Sequence, residues 1–370
     1  MQSVRFMLRW IRSGCVVAAL AALPLAGGAA AQKSDWPSAA NTGVPAGITL
    51  TTVTSTTRLP AGVTINRHGD LIVDAPRVVL SGLDIRGSVY INASNVTLIN
   101  SKVTAGGNYV IKIATGVTGT LIQNSTISGT AASPEGSKGI AGSGTFIANN
   151  ISNMEDGIFL LGDKDTLIQG NYIHDLKATG SPHYDGIQIE GSVSNVIIRH
   201  NTVINDYGQT SALMIDNYFG PISNITVDNN LLVGGGYTIY VDGQFSGGPI
   251  TGVSITNNHM GRGHWGITNF NKTSPVYTGN VDDGASIAAG LPTTGQPPAP
   301  SESTPPPASA GGRRGLRHHQ RRLHRRLKRC CLGRPARRWD RRRFHQPRVQ
   351  RPRCRQRAEP CGRRPQSRHH

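Results

Sequence analysis

A short pattern of apolar and polar positions recurs along the middle of the chain. An apolar residue is followed by two mostly polar positions and then by Asn or Ser, and another apolar residue comes soon after. The copies end at positions 101, 125, 150, 171, 201, 230 and 258, in steps of 24, 25, 21, 30, 29 and 28 residues. A repeat of this length indicates a solenoid, in which each repeat stacks on its neighbours.

Each repeat contains two or three alternating segments of about four to six residues, separated by Gly, Asn and Asp, which is the pattern of short β-strands joined by turns. No helical period runs long enough to form βαβ units. One such coil cannot bury its own apolar face, so the coils must stack at the strand spacing of about 4.8 Å. The pattern therefore predicts an all-β protein, a parallel β-helix built as a single-stranded solenoid.

One strand can be aligned over five successive coils, with segments that start at Asp156, Asp185, Ser211, Tyr237 and Trp265. Alternation then predicts two apolar columns that face the core. The first comprises Ile158, Ile187, Leu213, Ile239 and Ile267, and the second comprises Leu160, Ile189, Ile215 and Val241. The column of Asn residues at 150, 171, 201, 230 and 258 is interpreted as structural, because Asn tolerates the left-handed turn conformation and its amides can hydrogen-bond between coils.

The outward positions of the same strand place Glu190, Asp216 and Asp242 in one column on three successive coils. Neighbouring carboxylates would lie about 5 Å apart. Like charges this close must share a proton, bind a cation or be well solvated. Three hypotheses follow: a solvated acidic edge, a Ca²⁺ site formed by the three carboxylates, or catalytic carboxylates. Calcium is the only cofactor that the sequence suggests.

Further candidates lie at the entrance and along the outer face of this strand. His183 precedes Asp185 by two residues, so the carboxylate could orient the imidazole as a general base, and a satisfied turn histidine is the alternative. The candidate substrate-binding residues are Gln188, Tyr240, His264 and Trp265. Ordinary surface residues would look the same, and Trp265 could instead cover the C-terminal end of the solenoid.

Three segments carry a family resemblance: Asn41–Gly47, His183–Gln188 and Thr278–Val281. They resemble secreted bacterial proteins of the pectin-lyase-like superfamily, over residues 40–290. The resemblance implies a right-handed parallel β-helix that acts on polysaccharide on its outer face. It implies either hydrolysis by two carboxylates, or a lyase reaction in which carboxylates hold Ca²⁺ and a base removes the C5 proton. The basic cluster of the lyases and the paired-Asp and Arg-Lys motifs of the polygalacturonases are absent.

A second class of function stays open beside the enzyme. Coils stack well without any site, so the chain could be a non-catalytic polysaccharide-binding protein or a surface component of the adhesin kind. The longer coils, 171–258, carry the carboxylates, histidines and aromatic residues together, which favours a localised site and hence an enzyme.

The formal charge of +18 does not describe the repeat region. Residues 311–370 contribute +21 and residues 1–31 contribute +3, which leaves −6 for residues 32–310. A basic surface for nucleic acid is therefore not expected on the β-helix. The predicted partner is a polysaccharide, and the predicted state is a monomer.

The ends of the chain differ in composition from the repeats. Residues 1–31 combine three Arg, an apolar run and Ala29-Ala30-Ala31, which predicts a cleaved signal peptide and secretion with no membrane anchor afterwards. Residues 32–77 are predicted as a lead-in and cap, 78–290 as the β-helix, and 291–312 as a Pro/Ser/Thr linker. Residues 313–370 hold 22 Arg and one Lys and are predicted to be disordered. That tail is either an out-of-frame translation of a GC-rich gene or a polyanion-binding arm.

Overall fold

The computed structural model describes residues 36–283, which form strands and turns without a helix. The predicted signal peptide, the linker and the Arg-rich tail lie outside the described residues. No helix that could span a membrane was found in the described part of the chain.

The strands form three sheets that run side by side along the solenoid. Sheet A contains β1 (Thr51–Thr52), β5 (Leu83–Ile85), β8 (Lys102–Thr104), β11 (Thr126–Ser128), β14 (Asn150–Ser152), β17 (Tyr172–His174), β20 (Thr202–Asn205), β23 (Leu231–Gly234), β26 (His259–Gly261) and β29 (Val281–Asp282). Sheet B contains β2 (Val63–Ile65), β3 (Leu71–Val73), β6 (Val89–Ile91), β9 (Tyr109–Ile113), β12 (Lys138–Ala141), β15 (Asp156–Leu160), β18 (Asp185–Ile189), β21 (Ser211–Asp216), β24 (Tyr237–Asp242) and β27 (Gly266–Asn271). Sheet C contains β4 (Val79–Ser81), β7 (Thr97–Ile99), β10 (Leu121–Gln123), β13 (Thr145–Ile147), β16 (Lys164–Gln169), β19 (Val193–Arg199), β22 (Ile222–Asp228), β25 (Ile250–Thr256) and β28 (Val276–Thr278).

Each coil passes through sheets B, C and A in turn, and each strand pairs in parallel with the strand one coil away. The pair β2–β3 at the N-terminal end is antiparallel. The predicted all-β parallel β-helix is confirmed. Stacking begins before residue 78, because β3 already pairs with β6 and β1 with β5. The predicted N-terminal cap therefore contains the first rungs of the solenoid.

The core consists of apolar columns that run through the stack. Ile158, Ile187, Leu213 and Ile239 are paired in register and fully buried, as predicted. Ile267 also packs against the core, as predicted, but its register is one residue off. Thr268 lies opposite Ile239, and Gly266 lies opposite Tyr237.

A continuous ladder of polar side chains lies in the turn from sheet C to sheet A. Its members are Ser101, Ser125, Asn149, Asn171, Asn201, Asn230, Asn258 and Asn280. Oδ1 of Asn201 accepts hydrogen bonds from the backbone N and from Nδ2 of Asn171, at 2.9 and 3.0 Å. Nδ2 of Asn201 donates back to the carbonyl of Ile168, at 2.9 Å. These buried amides satisfy one another from coil to coil, so the ladder fixes the register of the stack.

Two details of the predicted column needed correction. The ladder residue in the third coil is Asn149, and Asn150 is the first residue of β14. The left-handed conformation belongs to the residue before each ladder position, as at Ala148, His200 and Asn229, with φ of 51°, 50° and 51°. The turn bends there and presents the next side chain to the interior of the stack.

We expect Asn201→Ala to lower the free energy of unfolding by about 2–5 kcal/mol, because it removes both hydrogen bonds that Asn201 Oδ1 accepts from Asn171 and leaves the buried backbone N–H of Asn171 without an acceptor. Urea unfolding followed by circular dichroism measures the loss. The matched control is Asn224→Gly, an exposed residue of β22 with φ of 57°, which should change stability by less than about 0.5 kcal/mol. Equal losses in the two variants would show that the ladder does not stabilise the stack.

Candidate functional site

The predicted carboxylate column lies on the outer face of sheet B. Asp216 pairs with Asp242, and Glu190 follows the last residue of β18, which pairs with the residue before Asp216. The register prediction is therefore confirmed. The hypothesis of a solvated acidic edge is wrong, because Glu190, Asp216 and Asp242 are only 4%, 3% and 4% exposed.

Two members of this column are engaged in local turns. Asp216 Oδ1 accepts a hydrogen bond from the backbone N of Tyr218 at 2.9 Å, and Asp242 Oδ1 accepts one from the backbone N of Gln244 at 3.1 Å. Glu190 Oε2 is buried and has no hydrogen-bond partner in the described part of the chain. Among residues 36–283 no group of three or more His, Cys, Asp or Glu is placed to hold a metal ion together, so the calcium hypothesis gains no support from this geometry.

A second column of polar side chains stands at the start of the same strands, at Lys138, Asp156, Asp185 and Ser211. Lys138 Nζ forms an ion pair with Asp156 Oδ2. Asp156 Oδ1 accepts from the backbone N of Asp185 at 3.2 Å, and Asp185 Oδ1 accepts from Ser211 Oγ at 2.8 Å. All four residues are buried, so one polar chain crosses four coils on the outer face.

A glycine after Lys138, Asp156 and Asp185 explains why these three residues face outward. Strict alternation would place Asp156 on the same side as Ile158, in the core. A Cβ at Gly157 would lie 2.4 Å from the buried side chain of Ile173, so Gly157 and Ile158 both face the interior. The local irregularity turns Asp156 to the other face. Gly186 has the same role beside Asp185, with Val203 only 2.1 Å from the added Cβ.

Glu155, the residue before Asp156, adds a further carboxyl group to the two columns. Its carboxylate accepts hydrogen bonds from the backbone N of Gly136 and, at 3.0 Å, from the backbone N of His183. Residues 181–184 form a loop, so the alternation of an extended strand, on which the predicted pairing of His183 with Asp185 was based, does not apply to them. The pairing stays a prediction.

Burial controls the protonation of the cluster. Desolvation raises the pKa of Glu155 and of Asp216 to about 7, and it raises the pKa values of Asp185 and Glu190 well above their usual range. Burial also opposes the charge of Lys138, but the carboxylates of Asp156 and Glu155 outweigh it and raise the Lys138 pKa. Several acids and one cation thus share a site with little water, where they hold protons that free carboxyl groups would release at neutral pH.

Aromatic side chains flank the outer face of sheet B on both sides. On the side of sheet A, Tyr237 contacts Trp265 at 6.0 Å, while Tyr184 and Tyr207, stacked with ring centroids 3.6 Å apart, pack against the hydrophobic core. On the side of sheet C, three rings from two neighbouring coils meet: Tyr218, Phe219 and Phe245. The outer face is therefore a floor between two aromatic walls.

The four predicted substrate-binding residues fall into two groups. Gln188 and Tyr240 lie in one outward column of the floor, on either side of Met214, and both are nearly buried. His264 and Trp265 contact each other at 5.7 Å on the wall, where Trp265 is 45% exposed.

Sequence reasoning missed Lys138, the only cation in the cluster. The signal was present, since Lys138-Gly139-Ile140 has the same spacing as Asp156-Gly157-Ile158 one coil later. The alignment started at Asp156, and its extension by one coil would have found the lysine.

Residues 87–260 match the family model described as a right handed beta helix region. With the stacked parallel sheets, this match makes the chain a right-handed parallel β-helix protein, consistent with its resemblance to the pectin-lyase-like superfamily. The searches of curated proteins and of solved structures gave no match.

The raised pKa values predict how stability depends on pH. Between about pH 4 and pH 7 the folded protein keeps protons on Glu155 and Asp216 that the unfolded chain releases, so the free energy of unfolding falls as pH rises. Asn cannot ionise. Between pH 5 and pH 8 we therefore expect the free energy of unfolding of Asp216→Asn to fall by about 2–3 kcal/mol less than that of the parent protein. Urea unfolding at the two pH values measures the difference.

The control for this experiment is Asp165→Asn, which replaces an exposed carboxylate of β16 on sheet C that accepts a hydrogen bond from Asn195. The free energy of unfolding of this variant should change with pH as it does in the parent protein. An Asp216→Asn variant with the parent slope would mean that Asp216 is already ionised in the folded protein at pH 5.

Proposed function

We propose that the protein is exported and hydrolyses a polysaccharide on the outer face of sheet B. The observation that carries the proposal is the buried column Lys138–Asp156–Asp185, in which two carboxylates on adjacent coils have different partners. Export is inferred from the N-terminal residues 1–31, and a sugar polymer from the aromatic walls.

The two carboxylates suit the two roles of glycoside hydrolysis. Burial raises the pKa of Asp156, and the ammonium of Lys138 opposes that shift and so favours the ionised form as a nucleophile or base. The pKa of Asp185 is raised well above its usual range by desolvation and by the charge of Asp156, which favours a protonated general acid. Paired positions on adjacent strands are about 4.8 Å apart, close to the carboxyl separation of about 5–5.5 Å in retaining enzymes.

Proton abstraction by a lysine, as in a lyase, receives less support. The base would have to be neutral, but the carboxylates of Asp156 and Glu155 raise the pKa of Lys138. In the described part of the outer face no other Lys or Arg contacts these carboxylates. Hydrolysis therefore agrees better with the charges of the cluster.

One observation favours the second candidate, a polysaccharide-binding protein without catalysis. Asp156 and Asp185 are each only 1% exposed, so a polymer can reach them only after the surrounding loops move. A binding protein would use the aromatic walls and keep the carboxylates as structural partners of Lys138.

The test is incubation of the protein with a panel of neutral and acidic polysaccharides, with Ca²⁺ and with EDTA, followed by measurement of reducing ends and of unsaturated products at 235 nm. We expect reducing ends without 235 nm absorbance, and we expect no dependence on Ca²⁺. Asp185→Asn should lower the rate by at least about 100-fold, because general acid catalysis contributes about 10²–10⁴-fold.

The matched control is again Asp165→Asn, which should retain full activity. Absorbance at 235 nm would identify a lyase. Binding without any product on the whole panel would support the binding protein and refute the hydrolase.

A further inference from the structure

A cleft of ≈ 590 Å³ opens at the N-terminal coils, where the chain turns from sheet A to sheet B. Its lining includes Asp84 and Lys102 from sheet A, Arg86 and Ser88 from the turn, and Tyr90 from sheet B. None of these residues belongs to the carboxylate cluster. The cleft is thus a separate site on the same side of the solenoid.

The cleft lining carries two cations, Arg86 and Lys102, and two carboxylates, Asp70 and Asp84. Arg86 Nε contacts Asp84 Oδ2 at 3.3 Å, and the Arg86 side chain is 74% exposed. Lys102 lies next to Asp84 in the paired strands β5 and β8, and in the described part of the chain it forms no ion pair. The Lys102 ammonium and the exposed part of the Arg86 guanidinium can therefore donate hydrogen bonds to an anionic group.

The remaining polar groups of the cleft suit a sugar. The other acid, Asp70, already accepts hydrogen bonds from the backbone N of Ser88 at 2.8 Å and from Asn66. Thr104 Oγ1 is buried at the wall of the cleft without a hydrogen-bond partner among residues 36–283. The ring of Tyr90 offers an apolar face beside these donors. A ligand with one anionic group, several hydroxyls and an apolar ring face matches this combination.

The register connects the cleft with the carboxylate cluster. Tyr90 pairs with Lys112, and Lys112 pairs with Ala141, which is in the same strand as Lys138. Lys138 is therefore two rungs from Tyr90, about 10 Å along sheet B, and Asp156 and Asp185 are three and four rungs away, about 14 and 19 Å. A single extended polymer on this face can contact both sites.

We propose that the cleft is a distal subsite that binds an anionic unit of the polysaccharide, through a carboxylate or sulfate group held by Arg86 and Lys102. The proposal rests on the proposed function for its polymer, and it adds that the polymer is acidic. The subsite holds the chain while the cluster two to four rungs away acts on it.

Isothermal titration tests the subsite with tetrasaccharides of galacturonate, hyaluronan and chondroitin sulfate, and with neutral chitotetraose. We expect at least one anionic probe to bind and chitotetraose to bind at least about tenfold more weakly. Arg86→Ala and Lys102→Ala should each weaken the anionic probe about tenfold or more, because each removes a charge-assisted contact. A preference for chondroitin sulfate over both uronate probes would identify sulfate as the group recognised.

The matched control is Lys164→Ala, an exposed lysine on sheet C, which should leave binding unchanged. The proposal is overturned if no anionic probe binds, if chitotetraose binds equally well, or if inorganic sulfate alone competes at the same concentration as the tetrasaccharide. Asp185→Asn should not alter this binding, so a failure of catalysis and a failure of the subsite are distinguishable. If a polysaccharide is cleaved, Arg86→Ala should raise KM for the long polymer and leave kcat unchanged.

Discussion

The ladder of buried Asn and Ser side chains between sheets C and A is the interaction on which the rest of the structure depends. Each ladder amide accepts from one neighbouring coil and donates to another, so a coil that slipped by one residue would leave buried donors without acceptors. With register fixed in this way, identical positions of successive coils lie about 4.8 Å apart. Apolar columns, the Lys138 column and the Glu190 column all follow from that single constraint.

The same stacking creates the electrostatic problem that characterises the outer face. Asp185 and Glu190 lie on one coil and Asp156 lies on the coil before it. All three residues are buried, so ionisation of all three carboxyl groups would be very unfavourable. Lys138 compensates one charge through Asp156, and raised pKa values leave protons on Asp185 and Glu190. An arrangement of this kind carries protonated and ionised carboxyl groups side by side at neutral pH, which is what acid–base chemistry on a sugar requires.

Most of the fold could be predicted from the sequence, because the repeat constrains every coil in the same way. The register of Asp216 and Asp242 and the inward isoleucines followed from period and alternation alone. The errors arose where the repeat leaves the register ambiguous. At Asn149–Asn150 two identical residues left the ladder position open, and Gly266 rather than Trp265 lies opposite Tyr237.

The candidate site was less predictable, because it depends on burial and on one irregular turn of the strand. Nothing in the sequence showed that loops would cover Glu190, or that Gly157 would turn Asp156 outward. The reasoning that placed His183 beside Asp185 assumed an extended chain where the structure has a loop. The spacing of Lys138 was visible in the repeat, and its partner Asp156 became clear only from the three-dimensional arrangement.

Lys138 and Asp156 form a buried ion pair, and this pair should hold the acidic face of sheet B together. A double-mutant cycle tests it, with Lys138→Met and Asp156→Asn, alone and combined, by urea unfolding at pH 7. Lys138→Met alone should cost about 3–5 kcal/mol, because it leaves buried carboxylates uncompensated. The combined variant should be more stable than the sum of the single losses predicts, by at least about 2 kcal/mol. Additive losses, or a Lys138→Met protein as stable as the parent, would show that the Lys138–Asp156 pair does not stabilise the fold.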